Sequence, residues 1–412
     1  MSINPGRILS APLSLPCGAK IKNRLCKSAM SENLGAVDHR PTSRLSRLYE
    51  KWANGGVGLC ITGNIMVDSR ALGEPRNVVV ENESILDELT AWASSGTQNQ
   101  THLWAQLNHP GKQSPSTLSP EPVAPSAIPF EGALQKFFNP PRALTEAEIL
   151  DLIARFAKTA GIVKQAGFTG IQIHAAHGYL ISQFHSPHHN QRTDDWGGSL
   201  ENRMRFVLEI YRAIRKTVGK KFPVGIKLNS SDFMHGGFTE DESLAVAEVL
   251  AAEGIDLIEI SGGTYERPAM TGRTAKGQTH DGEAYFLSYA SGIRQKIQTP
   301  LMITGGFRTS NFMAEAVADN RIDLVGLARP MAIDPDLPNK ILSGEAYTST
   351  VKPLTTGIPI IDKMALLEVT WYEQQLKYMA CDQPTRPNQS IWFSLAKTLV
   401  ENGFQVFQKR RA

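Results

Sequence analysis

The stretch TEAEILDLIARFAKTAGIVKQAGFTGIQIHAAHGY, residues 145–179, holds two periodicities in succession. From Thr145 to Ala166 the apolar residues Ile149, Leu152, Ile153, Phe156, Ala160 and Val163 fall on one stripe, the spacing of an amphipathic helix. Thr145 and Glu148 stand three apart at its start, where a hydroxyl and a carboxylate satisfy backbone N–H groups that a first turn leaves without partners. The pattern then changes to a short apolar run, 170–173, of strand length, and His174, His177 and Tyr179 follow it at once. A helix feeding a buried strand is half of a β/α repeat.

Outward in both directions the unit recurs. Apolar runs of strand length lie at 25–30, 57–64, 103–107, 170–173, 224–228, 257–260, 301–304 and 324–327, separated by segments of helical period, with a second capping pair at Thr239 and Glu242. Eight buried strands alternating with helices predict an α/β fold, a (β/α)8 TIM barrel. Three segments fall outside the repeat. Two short alternating pieces around Cys17 and Gly18 predict an N-terminal hairpin that plugs the lower mouth. The stretch 113–143, after the third strand, carries seven prolines with Phe130, Phe137 and Phe138, and a long insertion there reads as a lid. Amphipathic segments at 361–380 and 391–400 predict a C-terminal helical extension. The expected division is a barrel over 1–342 and an extension over 343–412 that packs on the barrel or on a partner subunit, a homodimer included.

Composition removes several classes of function. The chain has 412 residues, with 43 Lys plus Arg against 40 Asp plus Glu, so no basic excess points to nucleic acid, and the Lys409–Arg411 end reads as a solvated tail. Cys17, Cys26, Cys60 and Cys381 are too scattered for a metal pair or an iron–sulfur run, and suit reduced thiols in a cytoplasm. The opening MSINPGRILSAPLSLPCG lacks a signal-type apolar core, and no later run reaches the ~18 apolar residues of a membrane span. The expectation is a soluble, cytoplasmic protein with no membrane partner.

In a β/α barrel the side chains at the carboxyl ends of strands converge on one mouth, so polar residues just after an apolar run are candidates for chemistry. His174 and His177, three apart, would share one side of the first turn after the fourth strand, with Tyr179 beside them. Two neutral imidazole N–H groups can hold a carbonyl oxygen and stabilise charge developing on it, while a phenol delivers a proton. The alternative is that the pair only satisfies backbone groups. A metal site is a further alternative, but His185, His188 and His189 have no Cys, Asp or Glu at a spacing that completes a familiar cage. Gly305 and Gly306 after the seventh strand, and Gly326, Ala328 and Arg329 around the eighth, read as a phosphate cradle; simple turns are the plainer reading. Lys227 at the end of the fifth strand needs an anionic partner, either a reduced flavin or a carboxylate such as Asp232 or Glu259. Gln106 offers donor and acceptor groups suited to a flavin pyrimidine edge. Tyr265, Phe130 and Trp371 are expected as pocket walls.

The run HAAHGYLISQFHSPHHNQRTDDWGGSLENRMRF, 174–206, closely resembles the signature of the old yellow enzyme family, the NADH:flavin oxidoreductases. QLNHPGK at 106–112, ITGGF at 303–307 and LVGLARPM at 324–331 keep the family's order and spacing, and the resemblance spans about residues 5–340. It implies FMN across the barrel mouth, touched by Ser28, Ala29, Met30, Ser31, Gly63, Gln106, Lys227, Gly305, Gly306, Gly326, Ala328 and Arg329. It further implies NADH or NADPH as reductant, and a small unsaturated substrate held by His174 and His177, protonated by Tyr179 and walled by Tyr265. Hydride would pass from flavin N5 to the β-carbon of an enone, enal, maleimide or nitroalkene. The absence of a strand-linked GxGxxG agrees, because a nicotinamide that shares the flavin pocket needs no dinucleotide domain. Three positions depart from the pattern: Ser31 where relatives commonly show Thr or Cys, Lys227 where Arg is more frequent, and Ala29 where many have Pro. Nitro reduction, oxidative demethylation or isomerisation on the same barrel, a non-redox enzyme using the phosphate cradle, and a flavin-carrying or partner-binding protein stay open as other readings.

Overall fold

The computed structural model describes residues 4–266, 283, 284, 286–358 and 366–406. All eight expected strands are present: β1 (Leu25–Lys27), β2 (Leu59–Met66), β3 (His102–Asn108), β4 (Gly170–Ala175), β5 (Val224–Asn229), β6 (Leu257–Ser261), β7 (Leu301–Thr304) and β8 (Leu324–Leu327). Each pairs in parallel with its neighbours, and β8 pairs with β1, so the sheet closes into a TIM barrel. Helices Ser43–Asn54, Leu86–Gly96, Glu146–Gln165, Leu200–Val218, Glu240–Ala252, Leu287–Arg294, Ser310–Ala318 and Arg329–Ile333 follow the eight strands in turn. Both capping boxes form, Thr145 with Glu148 and Thr239 with Glu242.

Two strand boundaries move for local reasons. β1 ends at Lys27 rather than residue 30: the Ser28 N–H still donates to the Leu327 carbonyl, and the chain then leaves the barrel. β2 runs two residues further than the expected end, because its register against β3 shifts between Ile61 and Asn64. The irregular pair inside that shift serves the site: the Thr62 hydroxyl accepts from the Gln106 N–H at 2.9 Å, and the Gly63 N–H donates to Glu32 at 2.7 Å.

The N-terminal hairpin, Leu13–Ser14 against Lys20–Ile21, lies where expected. Its Cys17 N–H donates at 2.8 Å to Asp256, the residue just before β6, which fixes the turn at the amino-terminal mouth. Leu13, Leu15 and Ile21 then pack with Cys26, Leu59, Ile61, Trp104, Leu257, Met302 and Leu324 into an apolar plug inside the barrel. Trp104 is its largest member and is fully buried. Its indole has room because β4 and β5 present Gly170 and Gly225 to it: a Cβ on either would collide with the ring, at 2.7 Å from Cζ3 in the case of Gly225.

The C-terminal extension forms helices Leu366–Ala380 and Ile391–Val406, the first beginning later than expected, with 361–365 outside the described residues. Leu367, Trp371, Tyr372, Leu376 and Met379 join the core that contains Tyr49 and Trp52 of the first barrel helix, and Arg47 Nε donates to the Ala380 carbonyl at 2.9 Å. This helix therefore packs on the barrel of its own chain.

Adding a methyl group against Trp104 has a calculable cost. Gly225→Ala is expected to destabilise the fold by about 1–3 kcal/mol through overpacking. Trp104→Leu in the same chain should recover part of that loss; chemical denaturation of the single and double variants reads both effects.

Candidate active site

His174 lies one residue from the end of β4, which is buried throughout, and the chain then turns rather than entering a helix. His177 and Gly178 take left-handed backbone conformations, φ 63° and 76°, and the helix Leu180–His185 starts only after Tyr179. The expectation of helical spacing between the two histidines is therefore corrected: a left-handed turn swings His177 back beside His174. For a non-glycine residue that conformation costs roughly 1–2 kcal/mol. It is held by the His177 N–H donating to Asn229 Oδ1 at 3.0 Å and by a bridge to Thr264. The imidazoles meet edge to face with centroids 5.0 Å apart, and the Tyr179 ring lies 4.8 Å from that of His174.

The hydrogen bonds fix how these groups are charged. His174 Nδ1 accepts the Ala176 N–H, which leaves Nε2 as the protonated nitrogen of a neutral ring. His177 Nε2 sits 2.7 Å from the Ser261 hydroxyl. Burial, reinforced by the Lys227 charge, holds both imidazoles well below their ordinary pKa, so both are neutral at physiological pH. Burial likewise raises the Tyr179 phenol, which keeps its proton. Its oxygen is 2.9 Å from the Tyr265 hydroxyl and 3.5 Å from Asn64 Nδ2.

Below this trio, polar side chains on neighbouring strands form a connected network. Gln106 Nε2 donates to Gln172 Oε1 at 2.7 Å, and Gln172 Nε2 donates to Glu259 Oε2 at 2.7 Å. Glu259 Oε1 also accepts the Thr304 hydroxyl at 2.6 Å and the Lys227 ammonium at 2.9 Å. The Thr304 proton is thereby committed, so Ser28, 2.6 Å away, is the donor in their contact. Of the two partners considered for Lys227, the protein supplies the carboxylate: Glu259 is fully buried against it. Gln172 in this network, and Ser261 beside His177, were not singled out in the sequence. A signal did exist, since Gln172, Lys227 and Glu259 each interrupt an apolar strand as IQI, IKL and IEI.

The proposed phosphate cradle lies at the adjacent ends of β7 and β8. Thr304 pairs with Gly326, Gly305 and Gly306 have φ of 118° and 82°, and Ala328 and Arg329 are half-buried. A Cβ on Gly326 would strike the Thr304 and Ser28 hydroxyls, so glycine is required there. Arg329 Nη1 pairs with Glu368 of the C-terminal helix at 3.1 Å. The N–H groups of Arg308 and Thr309 donate to Glu283, so they belong to the protein's own hydrogen bonding.

Just after β1, the neighbour of β8, Ala29 packs on the barrel plug and Met30 on the main core. Ser31 touches Glu74 and Glu373, and Glu32 accepts the Gly63 N–H and the Tyr49 hydroxyl. Glu74 and Glu373 carry no motif in sequence, coming from a loop and from the C-terminal helix. The insertion after β3 reaches the site through aromatic contacts. Phe130, under the Lys112 ammonium, lies 4.9 Å from Phe138, which lies 6.4 Å from Tyr265, itself 5.9 Å from Tyr179. Trp371 is corrected: rather than lining the pocket, it is buried on Tyr372 and its indole N–H donates to the Gln389 carbonyl, because the C-terminal helices need it between them.

A barrel whose carboxyl mouth carries two neutral imidazoles, a protonated phenol and glycine-rich ends of β7 and β8 is of the class that can work on a bound cofactor and a small substrate. Residues 9–347 match the model of the "NADH:flavin oxidoreductase / NADH oxidase family", and the chain belongs to that family. It is thus a flavin oxidoreductase of old yellow enzyme type, with FMN as cofactor and a reduced nicotinamide as reductant. It is 37% identical over 356 residues to the "NADH-dependent flavin oxidoreductase iliE" of Hypocrea jecorina, covering 81% of this chain and 88% of that one. A protein of Talaromyces variabilis, "NADH-dependent flavin oxidoreductase iccE", is 36% identical over 408 residues, covering 90% and 98%. Among solved structures, a 2-naphthoyl-CoA reductase complex matches with TM-score 0.77 and 29% identity over 82% of this chain and 53% of that one. Morphinone reductase matches with TM-score 0.69 and 27% identity over 85% and 92%.

The residues present fit FMN. The Asn64 Oδ1 at the mouth is buried with no hydrogen-bond partner among the described residues, and Gly305 and Gly306, both at positive φ, put backbone without side chains at the end of β7, the kind of loop a phosphate can approach. Among the described residues no His, Cys, Asp and Glu cluster could hold a metal, and no helix is long and apolar enough to cross a membrane.

The Lys227–Glu259 pair gives a stability test. Glu259→Leu leaves a buried ammonium without its partner and should cost about 3–5 kcal/mol. Adding Lys227→Met should return much of that loss, so a denaturation double-mutant cycle is expected to show strong coupling; additive costs would refute the pairing.

Proposed function

We propose that this protein hydrogenates electron-poor carbon–carbon double bonds conjugated to a carbonyl or nitro group, with FMN as hydride carrier and NADH, the reductant in the names of its two fungal relatives, as electron source. The observation that carries this reading is the arrangement at His174, whose Nδ1 accepts a backbone N–H, so that Nε2 is obliged to be a donor. Nε2–H of His174, with an N–H of His177 when Ser261 donates to Nε2 of that ring, forms a two-pronged clamp for one substrate oxygen. A neutral clamp suits a substrate whose oxygen gains negative charge only as the reaction proceeds.

When bound at this mouth, a reduced flavin would supply the hydride. Gln106 and Lys227, tied to one another through Gln172 and Glu259, would hold the pyrimidine edge, and Gly305, Gly306, Gly326, Ala328 and Arg329 the phosphate. Ser28, Ala29, Met30, Ser31 and Gly63 line the remaining edge. Drawing electron density onto the clamped oxygen makes the β-carbon electrophilic, and the Tyr179 hydroxyl, protonated and on a ring 4.8 Å from that of His174, delivers the proton to the α-carbon. Tyr265 hydrogen-bonds that hydroxyl and, with Phe138 and Phe130, gives the pocket a flat apolar wall suited to planar conjugated substrates.

Two measurements decide the reading. Tyr179→Phe should lower the rate of cyclohexenone reduction by about 10²–10⁴-fold while leaving reduction of the flavin by NADH unchanged; equal loss in both half-reactions would remove the proton-donor role. Titrating the oxidised protein with a phenol should produce a long-wavelength absorption band that His174→Ala or His177→Ala abolishes. A wild-type protein without such a band would overturn the clamp.

A further inference from the structure

Ser31 stands between two carboxyl groups. Its hydroxyl is in hydrogen-bonding contact with Glu74 Oε2 and lies 3.0 Å from Glu373 Oε1. Asn33 Nδ2 donates to the other oxygen of Glu373 at 3.3 Å, and Asn77 Nδ2 to Glu74 Oε2 at 3.3 Å. A serine carries one proton and can donate it to only one of two carboxylates. The second carboxyl must therefore donate to the serine oxygen, and to do so it must itself be protonated. Two ionised carboxylates sharing one hydroxyl would instead repel each other at close range.

Two cations on this side of the barrel, Lys27 and Arg329, are engaged elsewhere. Glu32, next along the chain, adds a further acid and is occupied by the Gly63 N–H and the Tyr49 hydroxyl. Lys27 is committed to the Tyr49 hydroxyl and the Ile61 carbonyl, at 3.2 and 2.9 Å, beneath the Tyr49 and Trp52 rings. Arg329 is paired with Glu368. Across the cavity, Tyr179 and Tyr265 feel the Glu74 charge, which helps to keep both phenols protonated. Glu373 comes from the helix Leu366–Ala380, beyond the residues that match the family model. The C-terminal extension therefore places a titratable side chain beside Ser31, at the edge of the mouth where the cofactor is expected.

We propose that Glu74 and Glu373 hold one proton between them across Ser31, and that the pair takes up a proton from water when the bound flavin is reduced. The proposal rests on the reading in which FMN lies against Ser31. Transfer of a hydride from the nicotinamide, two electrons with one proton, adds one negative charge to the pocket and leaves the oxidised nicotinamide to depart. Uptake of one proton by the acid pair offsets that charge, so Glu373 acts as a positioning residue that couples pH to flavin reduction. Burial moves both groups up, helped by the Glu32 charge at Glu74 and by the Glu74 charge at Glu373, Glu74 to about 7 and Glu373 to about 8, so the coupling falls in the neutral range.

The full-length protein tests this in three ways. Without flavin, infrared spectra should show a protonated-carboxyl stretch at neutral pH that disappears in Glu373→Gln and in Glu74→Gln; a wild-type protein lacking the band overturns the shared proton. The sign of the stability change gives a second check on folded variants. A carboxyl whose folded pKa is raised destabilises the fold increasingly as pH climbs above the unfolded value. Thermal stability of Glu373→Gln relative to wild type should accordingly rise with pH up to about 9, and a flat difference counts against the pair. With FMN bound, the midpoint potential should fall across this pH window with one more proton per two electrons in wild type than in Glu373→Gln, a difference of about 30 mV per pH unit. Equal slopes overturn the coupling. Failure to bind FMN would sink the flavin reading, while the infrared band would still judge the acid pair.

Discussion

A charge cannot be left alone inside a barrel, and Glu259 is where this protein meets that constraint. Its two oxygens collect a lysine ammonium, a threonine hydroxyl and a glutamine amide from β5, β7 and β4. Taking a carboxylate and an ammonium out of water costs several kcal/mol each, recovered only when geometry is good and the remaining hydrogen-bonding positions are filled. Here they are filled from three different strands, so the closed sheet and the ion pair depend on each other. Gln106 and Ser28 are held through the same network, one by way of Gln172 and the other by way of Thr304. The groups expected to meet the flavin ring thus sit on a preassembled base.

Above this base the residues proposed for the reaction are held by less regular structure. His177 is kept in an unfavourable backbone conformation by Asn229, and its ring is paired with Ser261; both partners sit at the ends of the next strands. Tyr179 is steadied by Asn64 and by Tyr265, and Tyr265 in turn touches the insertion after β3. Lys112 links the insertion to the same corner, lying 4.0 Å from Glu266 and over the Phe130 ring. A change in the insertion would consequently be felt at the phenol through aromatic contacts, without any alteration at the histidines.

The barrel is legible in sequence because its strands are apolar runs of similar length at regular intervals, and because His174 follows one of them directly. The hairpin can be read from Cys17-Gly18, although the role of Gly170 and Gly225 as space for Trp104 cannot, since that depends on three strands meeting. The left-handed turn at His177 is hidden for a related reason: spacing of three looks helical in one dimension, and only Asn229 and Thr264 from neighbouring strands make the other conformation tenable. Glu259 is visible as one of two carboxylates able to pair with Lys227, but the choice between them is a matter of register, Lys227 lying directly beside Glu259. Glu74 and Glu373 are far apart in the chain and belong to no motif, so only folding brings them to Ser31. Trp371 looks in sequence like an aromatic near a pocket, yet the packing of two terminal helices has the stronger claim on it.

The hairpin beneath the barrel has a bearing on traffic. With Leu13, Leu15, Ile21 and Trp104 stoppering the lower end, the barrel is closed from beneath. If reductant and acceptor both meet the flavin at the upper mouth, as proposed, each would exclude the other while inside. An excess of either visitor would then block its counterpart, and throughput would follow the ratio of the two as much as the abundance of each.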